Sequence, residues 1–118
     1  MRAHLVLSAA VMGVLTMAAP THAKDRNGFQ AISAKDFGAA ERRLMAERRI
    51  YPNKPELMIN LASVYRHTGR VAQARALYAA VLEQEPVMLD MPSGREASSH
   101  DLAELGLALL SSQDLASR

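Results

Sequence analysis

An all-α fold of about four helices, with a β-hairpin or loop inserted before the last one, is predicted by three observations. Apolar residues recur at spacings of three and four through most of the chain, the mark of helices with one buried stripe. Anchor residues repeat at a spacing of 34: Phe37 with Val71, Ala40 with Ala74, Leu44 with Tyr78, and Pro52 with Pro86. Finally, Pro92-Ser93-Gly94 separates two short runs after Pro86, where a regular repeat would already have begun its next helix.

The chain opens on a short basic head, Met1-Arg2-Ala3-His4, followed by an apolar run from Leu5 to Ala19 and then Pro20-Thr21-His22-Ala23. Residues 1–23 read as a secretory signal peptide cleaved after Ala23, because the run is short for a membrane span and small residues precede the cut. Retention as an anchor is the alternative. The expected compartment is the periplasm or the exterior, with no stable membrane span after cleavage. The 118 residues contain no cysteine, so neither a disulfide nor a thiolate metal site is available. Lys and Arg number 14 against 12 Asp and Glu; Arg2 leaves with the leader, so the remainder is close to neutral. That balance argues against nucleic acid as a partner, which needs a basic footprint.

Residues 24–33 are polar, contain Asn27-Gly28, and are expected to be a mobile segment; a helix over 29–33 is only weakly signalled. A helix is predicted from Ala34 to Ile50, with Ser33 and Asp36 resembling a capping box and Phe37, Ala40, Leu44 or Met45, and Ile50 buried. Its outer face carries Arg42, Arg43, Arg48 and Arg49. Interleaved Glu41 and Glu47 moderate that charge, which favours a solvated face over an anion-binding patch. Tyr51 to Pro55 is a turn. The next helix runs from Pro55 to His67, with Asn53 as its expected N-cap and Gly69 as its left-handed C-terminal residue. The following helix spans about Val71 to Gln84 and is stopped by Pro86. Residues 87–98 form the insertion, in which Met88 and Met91 either pin the loop to the core or adapt to a partner. Ser98 or Ser99 caps a last helix over 99–112, its stripe being Leu102, Leu105, Leu109 and Leu110; residues 113–118 are expected to fray.

The segment Asn60-Leu61-Ala62-Ser63-Val64-Tyr65, followed by Gly69, Val71, Ala74, Tyr78 and Pro86, resembles the tetratricopeptide repeat family, whose units are 34-residue helix–turn–helix hairpins. Met58 stands where an aromatic residue is usual and Val81 where alanine is usual; both positions remain apolar. The resemblance covers a full repeat over 55–86 and half of one over 34–52, within a helical domain of 34–112, and Leu105-Gly106 echoes Leu61-Ala62. It implies a stack whose first helices line a groove, placing Glu56, Ile59, Asn60, Ser63, Arg66 and His67 on the partner-binding surface. Asn60 matches a position that holds a peptide backbone in relatives. Ile59 stands where a basic residue grips a terminal carboxylate in some of them, so a carboxylate clamp is not expected. A plain helical hairpin bearing solvated polar residues is the alternative.

No phosphate loop, HExxH pair, dinucleotide-binding turn or nucleophile elbow occurs. Ser98-Ser99-His100-Asp101 is a poor triad, because adjacent residues at a helix start point in different directions. His67 and His100 lack helical partners at ligand spacing. No catalytic residue, metal ligand or cofactor is therefore expected. The expected function is protein–protein interaction, as a non-enzymatic adaptor or scaffold of the bacterial cell envelope. A periplasmic assembly factor that binds unfolded envelope proteins is the alternative. So short an array has a thin core, which favours docking on a larger component or homodimer formation.

Overall fold

The computed structural model describes residues 28–117; the expected leader and its cleavage point lie outside them. The described chain is five helices and one two-stranded ribbon: α1 (Phe29–Ser33), α2 (Phe37–Ile50), α3 (Pro55–His67), α4 (Val71–Leu82), β1 (Met88–Asp90), β2 (Glu96–Ser98) and α5 (Ser99–Ala116). The all-α architecture with a β insertion matches the expectation.

Sequence expectation and structure part at the first helix. Residues 29–33 are helical and Ala31 is buried, so this part of the expected mobile segment is packed. The helix closes as a Schellman turn: the Asp36 N–H donates to the Ala31 carbonyl and the Lys35 N–H to that of Ile32. Lys35 takes the left-handed conformation there, at φ 59°. Consequently α2 starts at Phe37 instead of Ala34. Its cap is Asp36, whose Oδ1 accepts from the Ala39 N–H at 3.2 Å, while Ser33 belongs to α1. Ala40 and Leu44 are the buried residues of α2; Met45 is exposed, and Ile50, expected inside, is 65 % exposed in the last turn.

Pro55 occupies the first turn of α3 as expected, but the N-cap residue is Lys54 and no side chain caps it. Asn53 contributes its carbonyl, which accepts from Gln84 Nε2 across the unit. Leu57, Met58, Leu61, Ala62, Val64 and Tyr65 are all buried, so α3 is the central helix of the core. It ends at Gly69, φ +78°, with the Arg70 N–H donating back to the Tyr65 carbonyl. On α4, Ala74, Tyr78 and Val81 are buried. Ala40 and Ala74 are both wholly inaccessible, as are Ala62 and Ala103, so the helices approach closely at all four.

A bidentate ion pair ties the first unit to the second. Arg70 Nη1 and Nη2 donate to the two carboxylate oxygens of Glu41, each at 2.7 Å, while the guanidinium lies 4.4 Å above the Tyr65 ring. Phe37 and His67 stack alongside, 4.9 Å between centroids.

The ribbon pairs Met88 with Ser98, Leu89 with Ala97 and Asp90 with Glu96. Its loop is Pro92-Ser93-Gly94, with Gly94 at φ +81° and the Met91 N–H donating to the Arg95 carbonyl at 2.7 Å, a three-residue hairpin closed by a left-handed glycine. At its base the buried Ser99 accepts from the Val87 N–H at 3.0 Å and donates its own N–H to the Val87 carbonyl. Ser98 caps α5, its hydroxyl oxygen accepting from the His100 N–H. The buried stripe of α5 is Ser99, Ala103, Gly106 and Leu110; of the expected stripe only Leu110 is fully inside. The helix also runs on to Ala116 through the segment expected to fray, where Asp114 pairs with Arg75 of α4.

Gly106 decides how closely α5 can approach α4. A Cβ at this position would lie 2.2 Å from Tyr78 Cζ. Gly69, in contrast, has open space around it and is needed only for its positive φ. Gly106→Ala is therefore expected to destabilise by about 3 kcal/mol through overpacking. Gly69→Ala should cost about 1 kcal/mol through backbone strain alone. Thermal melts of the two variants check the order.

The hydrogen bonds from Arg70, reinforced by its charge, hold the Glu41 carboxyl below its ordinary value of 4.5. Its contribution to stability is present above that value and is lost as pH falls through the lower folded one. Between pH 5 and pH 3 the melting temperature of the wild type is expected to fall more steeply than that of Glu41→Gln.

Candidate functional site

A cleft of about 670 Å³ opens between α3 and α5, with the ribbon along one side. α3 contributes Glu56, Ile59, Asn60, Ser63 and Arg66, one step apart along a single face as helical periodicity requires. The opposite wall is Leu102, Leu105, Gly106 and Leu109 of α5. The turn from Leu89 to Pro92 borders it, as do Phe29 and Gln30 of α1.

Five of the six residues expected on the binding surface thus share this cleft. His67 does not line it. Its ring stacks on Phe37, and its Nδ1–H donates to the Ser63 carbonyl at 2.7 Å, which turns it toward α2. The other histidine is likewise structural: His100 Nε2–H donates to the Gln84 carbonyl at 2.7 Å and fastens the start of α5 to the end of α4. Each imidazole is committed to a helix-terminal carbonyl, and the two serve different helix junctions.

Tyr78 forms part of the cleft floor and is almost wholly buried. The one cation of the cleft wall, Arg66, acts on the Tyr78 hydroxyl through its positive charge. The Arg66 Nε is buried without a protein partner among the described residues. Half-buried Asn60 and Ser63 and the carboxylates of Glu56 and Asp90 add polar groups to a wall that is otherwise apolar. Such a surface suits a protein segment: apolar side chains supply most of the contact, and a few polar groups set orientation.

Sequence reasoning missed Tyr78, the leucine wall, and Leu89, Asp90 and Pro92 of the border; Met91 it offers as either a core pin or a partner contact. The leucines recur at three and four like any core stripe, and periodicity alone does not say whether another element covers them. Leu89 and Met91 sit in an insertion whose path is set by where the hairpin folds back.

Among the described residues no helix is long and apolar enough to cross a membrane, and no three His, Asp or Glu residues gather at metal-binding distance.

Burial pushes the Tyr78 phenol above its ordinary value of 10.0, and the Arg66 contact offsets part of the shift. The sign follows from linkage: the neutral phenol is favoured in the folded state, and that contribution is lost as pH rises through the raised value. Ultraviolet titration is expected to show a tyrosine phase above the usual phenol range, absent in Tyr78→Phe.

No curated protein and no solved structure matches the chain significantly. The family model of the tetratricopeptide repeat matches residues 31–89, half of the chain. That span runs from α1 through β1 and contains both alanine-bearing second helices, α2 and α4. With helical hairpins repeating at 34 residues around shared small contacts, and with the family model over the same stretch, the chain belongs to the tetratricopeptide repeat family, whose repeats mediate protein–protein interaction.

Proposed function

We propose that the protein is a non-enzymatic adaptor of the bacterial cell envelope that holds a segment of a partner protein in the cleft between α3 and α5. The observation that carries this reading is the cleft itself, where exposed leucines of α5 face the polar Asn60 and Ser63 of α3. The envelope location rests on the basic head, apolar run and small-residue end of residues 1–23. Glu56, Ile59, Asn60, Ser63 and Arg66 are the proposed contact residues, with His67 supporting the α3 terminus from outside.

A second reading, an assembly factor for unfolded envelope proteins, is favoured by Met91 on the cleft border and the exposed Met88 beside it. Thioethers adapt to varied apolar surfaces.

Photo-cross-linking from Ile59 and Asn60 in the native host tests both. The adaptor predicts one defined adduct in the envelope fraction, on a chain that starts at Lys24. A ladder of many clients moves the assignment to the assembly factor. Absence of any adduct from either position, or adducts confined to the cytoplasm, would sink the proposal.

A further inference from the structure

Leu102, Leu105 and Leu109 stand 44 residues after Met58, Leu61 and Tyr65, and Gly106 stands 44 after Ala62. In α3 that triad is buried, at 3, 0 and 9 % exposure. Helices on both sides cover it: the Tyr65 hydroxyl donates to Met45 Sδ of α2, and Met58 Sδ accepts from Gln84 Nε2 just beyond α4. In α5 the same triad opens into the cleft, with Leu105 57 % and Leu109 39 % exposed. α5 is thus the first helix of a third unit that has no second helix among the described residues. A unit of this kind does not bury its apolar face alone.

The charges around the opening indicate what would complete it. Asp90, on the cleft border, stands opposite Glu96 across the ribbon. Like charges directly opposed on a two-stranded ribbon are destabilising. Asp101 lies one turn before Leu105 on the exposed side of α5. None of these three carboxylates has an ion-pair partner among the described residues. Arg66, the one cation of the cleft wall, lies near enough to Tyr78 for its charge to lower the phenol pKa. An extended partner strand would find little to pair with, since β1 offers an edge of only three residues. A helix needs no such edge. The leucine wall from Leu102 to Leu109 covers roughly 10 Å along α5, a length that two to three turns of an incoming helix would match.

We propose that the cleft takes a single amphipathic helix of a partner protein, with a leucine-type stripe seated on Leu105 and Leu109 and Lys or Arg on its flanks meeting Asp90, Glu96 and Asp101. This rests on the cleft being the partner site.

Three fluorescein-labelled, stapled 18-residue helices serve as probes: a leucine stripe with Lys flanks, the same stripe with Glu flanks, and an alanine stripe with Lys flanks. Anisotropy titrations with the full chain at low salt are expected to favour the first over the second by about tenfold in Kd, with no saturable binding of the third. Leu105→Asp combined with Leu109→Asp changes only exposed positions, and is expected to abolish binding with an unchanged circular dichroism spectrum. Asp90→Lys should erase the preference for Lys flanks. Equal affinity for the two leucine helices, or binding that survives the double variant, would overturn the proposal. So would concentration-dependent dimerisation lost in the double variant, which would assign the face to a second copy. If the Asn60 cross-link forms while no helix binds, the helical partner is wrong and the adaptor stands; loss of both removes the adaptor as well.

Discussion

The close approach of α5 to α4 at Gly106 is the contact on which the rest of the architecture depends. The Tyr78 ring fills the space where a side chain would begin. Elsewhere in the core, Ala40, Ala62, Ala74 and Ala103 are all fully buried. Small residues at helix crossings let backbones come near enough for Leu44, Leu61, Val64, Val81 and Leu110 to interlock as one core. A wider spacing at any of these crossings would leave voids beside large side chains, and a core this thin has little redundancy with which to absorb them.

Polar contacts then select one arrangement of the packed helices. The Glu41–Arg70 pair is partly solvent-exposed, at 29 % and 36 % side-chain exposure, so its effect on stability is modest. Its value lies in geometry: a planar guanidinium that meets a carboxylate with two bonds while lying on the Tyr65 ring leaves little freedom for α2 to slide along α3. At the other end, His100 and Ser99 perform the same task, joining the start of α5 to Gln84 and Val87. The insertion is therefore held at its base by two side chains, and its tip is free to form the border of the cleft.

The cleft sets the outward leucines of α5 against the polar face of α3. Among the described residues the leucines of α5 face Asn60 and Ser63 across the cleft. Both histidines are committed to backbone carbonyls, His67 to that of Ser63 and His100 to that of Gln84.

Local sequence determined the helices, the hairpin units and their repeat, because these depend on periodicity, on Gly69 and Pro86, and on the 34-residue return of Phe37, Ala40 and Leu44 as Val71, Ala74 and Tyr78. It also narrowed the cap of α5 to Ser98 or Ser99, of which the structure uses Ser98, and marked Pro92-Ser93-Gly94 as the tip of a hairpin or loop, both of which are short-range effects. The start of α2 was misplaced because a lysine, not a glycine, takes the left-handed position that ends α1. Which face of α5 is buried was decided only by tertiary contact. Leucine has the greater transfer free energy, yet Gly106 goes inside, with Ser99 and Ala103 on the same face, because no side chain fits against the Tyr78 ring. Steric fit at a crossing outweighed hydrophobicity there, and by turning Leu102, Leu105 and Leu109 outward it made the cleft.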